Sequence, residues 1–202
     1  MRATTVAVAA ALALCLLPAA APAANGGAAC PKAWAKGWTA LANRVDAAVY
    51  CPRWMPNPLD GSIGGQWQDI YSIGKDRSYL VSFLYHGEGA SGDVHVNFRG
   101  YPGRTAIPRC RIVVPISAGK IRSGTGPCFS DAHGTVRMPG IRATVYTVNQ
   151  DADQWHVLLA WRHAGSLYTV SEHVIRPYDS VSHVLVNLRH LLGSLVLVRP
   201  QS

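Results

Sequence analysis

Residues 156–174 read HVLLAWRHAGSLYTVSEHV, and the way the two halves of this stretch pair decides the fold. Ala164-Gly165 lies at the centre, between runs rich in aromatic and β-branched residues, so the chain turns there through a loop of two or four residues. Either loop gives the same register: Trp161 faces Tyr168, Leu159 faces Val170 and His156 faces His173. Side chains alternate across a sheet, so Val157, Leu159, Trp161, Tyr168 and Val170 share one apolar face. His156, Leu158, Ala160, Arg162, Thr169, Ser171 and His173 share the other, which is mixed. The Trp161–Tyr168 pair adds roughly 0.2–1 kcal/mol of cross-strand stabilisation. The stretch predicts a core hairpin.

Working outward, SYLVSFLY (78–85) and VHVNFRG (94–100) flank the turn-rich HGEGASGD and predict a second hairpin. RIVVPI (111–116) is a further apolar run, and GTVRMPGIRATVYTV (134–148) holds two strands around Pro139-Gly140. QDADQ (150–154) turns the chain into the opening stretch, while RWMPNPLDGSIGG (53–65) is a Pro- and Gly-rich loop. Helices bracket these strands. From Pro31 to about Arg44, the residues Trp34, Trp38, Leu41 and Val45 fall at helical spacing, with Pro31 where a missing N–H costs nothing. From Val181, the residues Val184, Leu185, Leu188, Leu191, Leu192 and Leu195 form one apolar stripe, which Asp179 or Ser180 can cap. Gly193 either ends that helix, leaving SLVLV extended, or lies within it. Short local connections favour an α+β layout: an antiparallel sheet of about six to seven strands, with the N-terminal and C-terminal helices packed on one face.

The beginning of the chain is of another kind. Arg2 precedes a 12-residue apolar run, Val6 to Leu17, followed by PAAAPAA. This is the pattern of a secretory signal peptide over residues 1–23, with Ala21-Pro22-Ala23 as the cleavage site. The run falls short of the ~20 residues a spanning helix needs, which makes a retained anchor the lesser reading. Residues 24–202 then form a single domain. Cys30, Cys51, Cys110 and Cys128 remain in it, an even number suited to an oxidising compartment. Of the three connectivities that four cysteines allow, Cys30–Cys51 with Cys110–Cys128 is favoured. A helix from Pro31 to Arg44 runs about 21 Å, and Asp46 to Cys51, if extended, returns about 20 Å. No CxxC redox or zinc spacing is present.

Charge gives the one global hint about partners. The chain carries 19 Lys and Arg against 11 Asp and Glu, and only Arg2 of these lies in the leader. From Val94 to Ser130 there are six basic residues, Arg99, Arg104, Arg109, Arg111, Lys120 and Arg122, and no acidic one. Such a stretch attracts polyanions, and outside the cytoplasm these are lipid headgroups or wall polymers rather than nucleic acid. A plain solvated basic surface gives the same composition.

Motifs for chemistry are sparse. His156 and His173 make half of a metal site, but zinc chemistry wants three protein ligands plus water, and no HExxH, HxH or paired-carboxylate motif supplies the third. By parity Glu172 points to the opposite face. His163 sits at the turn. His183 and His190 lie on the polar stripe of the last helix with Asn187 and Ser194, seven apart rather than four. The ordinary reading is imidazoles that are solvated or singly hydrogen-bonded. There is no G-x-S-x-G elbow, and neither GTG (124–126) nor GEGASGD (87–93) continues into a phosphate loop. Glu88 and Asp93 lack EF-hand spacing for calcium. Asp151 and Asp153 sit in an expected turn.

The C-terminal third has a recognisable order: Gly140-Ile141-Arg142-Ala143 and Tyr146 on one strand, Trp161 on the next, then Tyr168 and Val170, then the helix of Val181 to Leu195. AVYCPRWMP (48–56) matches a "Y-x-P-x-x-L-P" opening with Met55 in place of Leu. In these features the chain resembles small extracytoplasmic bacterial α+β domains of unknown function, some attached to anti-sigma factors. The resemblance implies a fold and a compartment. It carries no catalytic motif, and the cysteines and the basic 94–122 region lie outside it. An anti-sigma arrangement would also need a membrane-spanning helix.

The leading expectation is an exported, non-catalytic domain without cofactors that binds an anionic lipid or cell-wall polymer through Arg99, Arg104, Arg109, Arg111, Lys120 and Arg122. The alternative is a metal-dependent or hydrolytic enzyme using surface histidines His156 and His173. A third reading is an interaction module presenting Trp54 and Trp67.

Overall fold

The computed structural model describes residues 29–59, 71–86, 93–117, 120–149 and 155–201. The leader, Trp67, Glu88 and the 150–154 turn lie outside them. The first helix, α1 (Lys32–Val45), begins at Pro31 and buries Trp34, Trp38, Leu41, Ala42 and Val45, the spacing read from the sequence. It ends where Asp46 takes a left-handed conformation with φ 45°, an arrangement that turns the backbone out of the helix. The chain returns through β1 (Val49–Cys51), and the Cys30–Cys51 disulfide closes the unit.

Seven antiparallel strands form the main sheet. In chain order they are β2 (Tyr71–Ile73), β3 (Tyr79–Tyr85), β4 (Val94–Tyr101), β7 (Ala132–Met138), β8 (Ile141–Asn149), β9 (Trp155–His163) and β10 (Ser166–His173); across the sheet they run β2-β3-β4-β10-β9-β8-β7. The β9–β10 register pairs Trp161 with Tyr168, Leu159 with Val170 and His156 with His173. Ala164 and Gly165 both have positive φ, 45° and 75°, as a two-residue type I′ turn demands. The glycine meets that demand without strain, and the four-residue loop is excluded.

The run 111–116 lies in β5 (Arg109–Ser117), but β5 is not part of this sheet. Among the described residues it pairs only with β6 (Lys120–Pro127), forming a separate two-stranded hairpin. β6 was not anticipated, because KIRSGTGP has two glycines, a proline and few β-formers. The short β2, also not anticipated from the sequence, supplies the seventh strand of the main sheet at its edge beside β3. At the C-terminus, α2 (Val181–Ser194) starts at Ser180, whose hydroxyl accepts from the His183 N–H, and it continues through Gly193. The tail is nevertheless extended, because β11 (Val196–Val198) pairs with β1.

The first face of the main sheet carries the principal core: Val81, Phe83, Val96, Phe98, Val157, Leu159, Trp161, Tyr168 and Val170 are buried. Trp34 and Trp38 of α1 meet Phe83 and Phe98 edge-on, at ring separations of 5.9 and 5.7 Å. Val184, Leu188, Leu191 and Leu192 of α2 belong to the same cluster. Tyr50 of β1 stands edge-on to Trp161 and Tyr168, and the Tyr168 hydroxyl donates to the Ala48 carbonyl at 2.8 Å. Among the described residues no helix is long and apolar enough to cross a membrane.

The second disulfide joins Cys110 to Cys128, as the sequence favoured. With its cysteines 21 positions apart in sequence, the Cys30–Cys51 link restricts the unfolded chain by about 3 kcal/mol. Replacing both cysteines with Ala is expected to lower the unfolding free energy by that amount in urea titrations, with a somewhat steeper slope as the released unfolded chain exposes more surface.

Candidate functional site

The second face of the main sheet is where chemistry-bearing side chains gather. Along β4, residues His95, Asn97, Arg99 and Tyr101 alternate with buried Val94, Val96, Phe98 and Gly100. On β10, Thr169 lies opposite Arg99 and Ser171 opposite Asn97, and on β9 His156 lies opposite His173. Glu172 pairs with Val96, so the next step along β10 brings His173 beside His95. Three histidines from three neighbouring strands therefore form one row.

Their rings close into a triangle. Ring centres are 4.7 Å apart for His95 and His156, 4.8 Å for His95 and His173, and 5.1 Å for His156 and His173. The Asp93 carbonyl lies 3.0 Å from the Nδ1 of His95 and 3.0 Å from the Nδ1 of His173. A carbonyl only accepts, so both Nδ1 atoms carry a proton. The His156 Nε2 lies 2.7 Å from the His95 Nε2. With its proton on Nδ1, neutral His95 accepts at Nε2, so His156 donates. His156 and His173 also engage further partners. Neither is the surface group expected: His156 is 8% exposed and His173 6%. Burial, aided by the neighbouring His173, holds the His95 pKa below the ordinary 6.5, against the opposing pull of its bond to Asp93. The neutral form is thereby favoured. As the rings stand, no three His, Cys, Asp or Glu side chains among the described residues are set to hold a metal ion.

Glu172 points to the first face, as parity required, and is fully buried there. Asn187 of α2 donates to its Oε1 at 2.8 Å. Desolvation pushes its pKa from 4.5 to about 8, the Asn187 bond opposing. Asn187 is thus a buried-acid partner rather than a member of a polar stripe. His183 is exposed, and His190 stacks on Trp54 at 3.9 Å, so Trp54 packs against α2.

The six basic residues separate into two settings. Arg99 is half-buried on the second face and lines a recess with Tyr101, Thr169, Leu158, Phe129 and the Cys110–Cys128 disulfide. Arg104 is exposed between β4 and β5, 3.0 Å from Asp76. The other four lie on the β5–β6 hairpin. Arg109 donates to the Thr125 carbonyl at 2.7 Å, Arg111 and Arg122 are exposed, and Lys120 is the first residue of β6. The hairpin also carries a feature that the charge pattern did not reveal. Near its turn, Ile116 and Ile121 are 64% and 68% exposed. At its base, Phe129 joins Val148, Leu158, Ala160 and Leu167 in a small second core, which anchors the hairpin to the second face.

Comparison with known proteins finds no matching family model, no matching curated protein and no matching solved structure.

Proposed function

We propose that this chain is an exported, non-catalytic binding domain that docks on an anionic lipid surface of the cell envelope through the β5–β6 hairpin. The observation that carries the reading is the pair of exposed isoleucines, Ile116 and Ile121, near the turn of the hairpin that also carries Lys120 and Arg122 next to them in sequence and Arg109 and Arg111 toward its base, in a stretch without a single acid from Val94 to Ser130. Exposed aliphatic side chains are costly in water and gain by entering a bilayer, roughly 25 cal/mol per Å² removed from water. Flanking cations meet the phosphates at about 1 kcal/mol each. A soluble wall polymer would reward the charges but not the isoleucines, which favours lipid over polymer. Two disulfides and the leader-like residues 1–23 support export, and so does the likeness to extracytoplasmic domains. The contacts of α1 with Phe83 and Phe98, and of α2 with Glu172, support both helices lying on the first face, which leaves the second to anchor the hairpin.

The test is co-sedimentation with vesicles of phosphatidylglycerol and of phosphatidylcholine. Retention on the anionic vesicles is expected to fall steeply with added salt. Changing Arg109, Arg111 and Arg122 together to Gln is expected to weaken it about a hundredfold. Ile116→Ser with Ile121→Ser is expected to weaken what remains at high salt. Equal retention of both variants sinks the proposal, and loss with the arginines alone reassigns the surface to a polymer.

A further inference from the structure

The row of histidines on the second face is independent of the hairpin and has its own chemistry. Three imidazoles around one tetrahedral ion at about 2.0–2.1 Å place their ring centres about 5 Å apart. The observed separations of 4.7, 4.8 and 5.1 Å match this spacing. Metal-binding histidines characteristically donate their other ring N–H to a carbonyl or carboxylate, which fixes the tautomer and aims the lone pair. His95 and His173 do so, and to the same carbonyl, that of Asp93. The His95–His156 contact differs from that of a loaded site. Two nitrogens on one tetrahedral ion lie about 3.3 Å apart, whereas here they are 2.7 Å apart across a shared proton.

We propose that His95, His156 and His173 form a three-imidazole site for a divalent first-row ion of the zinc type, with its fourth position left to water or a small ligand. The ion takes the place of the shared proton. The N–H···N bond between His156 and His95 breaks, the His156 proton moves from Nε2 to Nδ1, and the nitrogens part by about half an ångström to bind the metal. Neutral rings load without releasing a proton; protonated ones release theirs to solvent. Because His156 and His173 engage further partners, loading exchanges contacts rather than filling idle ones. Among the described residues no carboxylate takes part: the Asp93 Oδ1 pairs with His86 at 3.0 Å, and Glu172 lies on the other face.

Zinc and cobalt are titrated into the whole disulfide-bonded chain. The expected result is one equivalent bound, visible cobalt absorption of tetrahedral strength, and a Tm that rises with free zinc. His95→Gln and His156→Gln are each expected to weaken zinc binding more than tenfold, while His133→Gln and His183→Gln leave it unchanged. Intact disulfides and near-ultraviolet dichroism certify each variant as folded. Should His95→Gln fail to fold, the wild-type chain decides alone: zinc is expected to shift the ring ¹⁵N resonances of His95, His156 and His173 and not those of His133 or His183. No saturable zinc uptake, or uptake that perturbs the exposed histidines instead, overturns the site.

Discussion

Glu172→Gln is expected to abolish the loss of stability that the buried carboxyl imposes as pH rises, so that the stability order of the two proteins inverts between pH 5 and pH 9. The wild-type carboxyl has a folded pKa of about 8 against an ordinary 4.5, so the folded state binds more protons than the unfolded state between these values. Stability is therefore full below pH 4.5 and is lost as pH rises toward 8, by roughly 4–5 kcal/mol. Glutamine keeps the acceptor that Asn187 uses and cannot ionise. It places an amide where Oε2 has no hydrogen-bond partner among the described residues, at a cost of about 1–3 kcal/mol at every pH. The variant is thus expected to be the less stable protein at pH 5 and the more stable one at pH 9, by roughly 2 kcal/mol in each direction. Urea titrations across this range test it. Parallel pH profiles for the two proteins would mean that Glu172 does not sit protonated beneath α2.

Trp38→Ala is expected to cost about 3–5 kcal/mol, the range for emptying a buried tryptophan site. Trp38 has 0% exposure and meets Phe98 edge-on, so its loss opens a cavity between α1 and the sheet that neighbouring rings cannot fill. Trp54→Ala is expected to cost far less, because Trp54 is only partly buried and its main partner is the exposed His190. The difference in urea midpoints reads the comparison directly. Similar costs for the two would place the α1 packing elsewhere.

Local rules made the better part of this fold legible. The β9–β10 register followed from one turn and a period of two, and α1 and α2 followed from apolar spacing. Both disulfides link cysteines close in sequence, 21 and 18 residues apart, where local chain geometry limits the choice. β6 escaped notice because glycine and proline mask strand propensity where pairing alone holds the chain extended. The third histidine escaped for another reason. His95 reaches His156 across 61 residues of sequence, and nothing near VHVNFRG announces that β4 lies beside β10. Asp93, read as one end of a turn, acts instead through its backbone carbonyl, which no side-chain motif encodes.

What the residues decided by themselves was short-range: which segments are helix or strand, which face of each is apolar, and which cysteines meet. Turn geometry and side-chain alternation act over a few residues, so one chain suffices to read them. The order of strands across the sheet was decided only by tertiary packing, and with it came the histidine triangle, the burial of Glu172 beneath Asn187 and the exposed isoleucines of a hairpin outside the main sheet. Each depends on which distant segments exclude water from one another, a free energy shared by the whole core and carried by no single stretch of sequence.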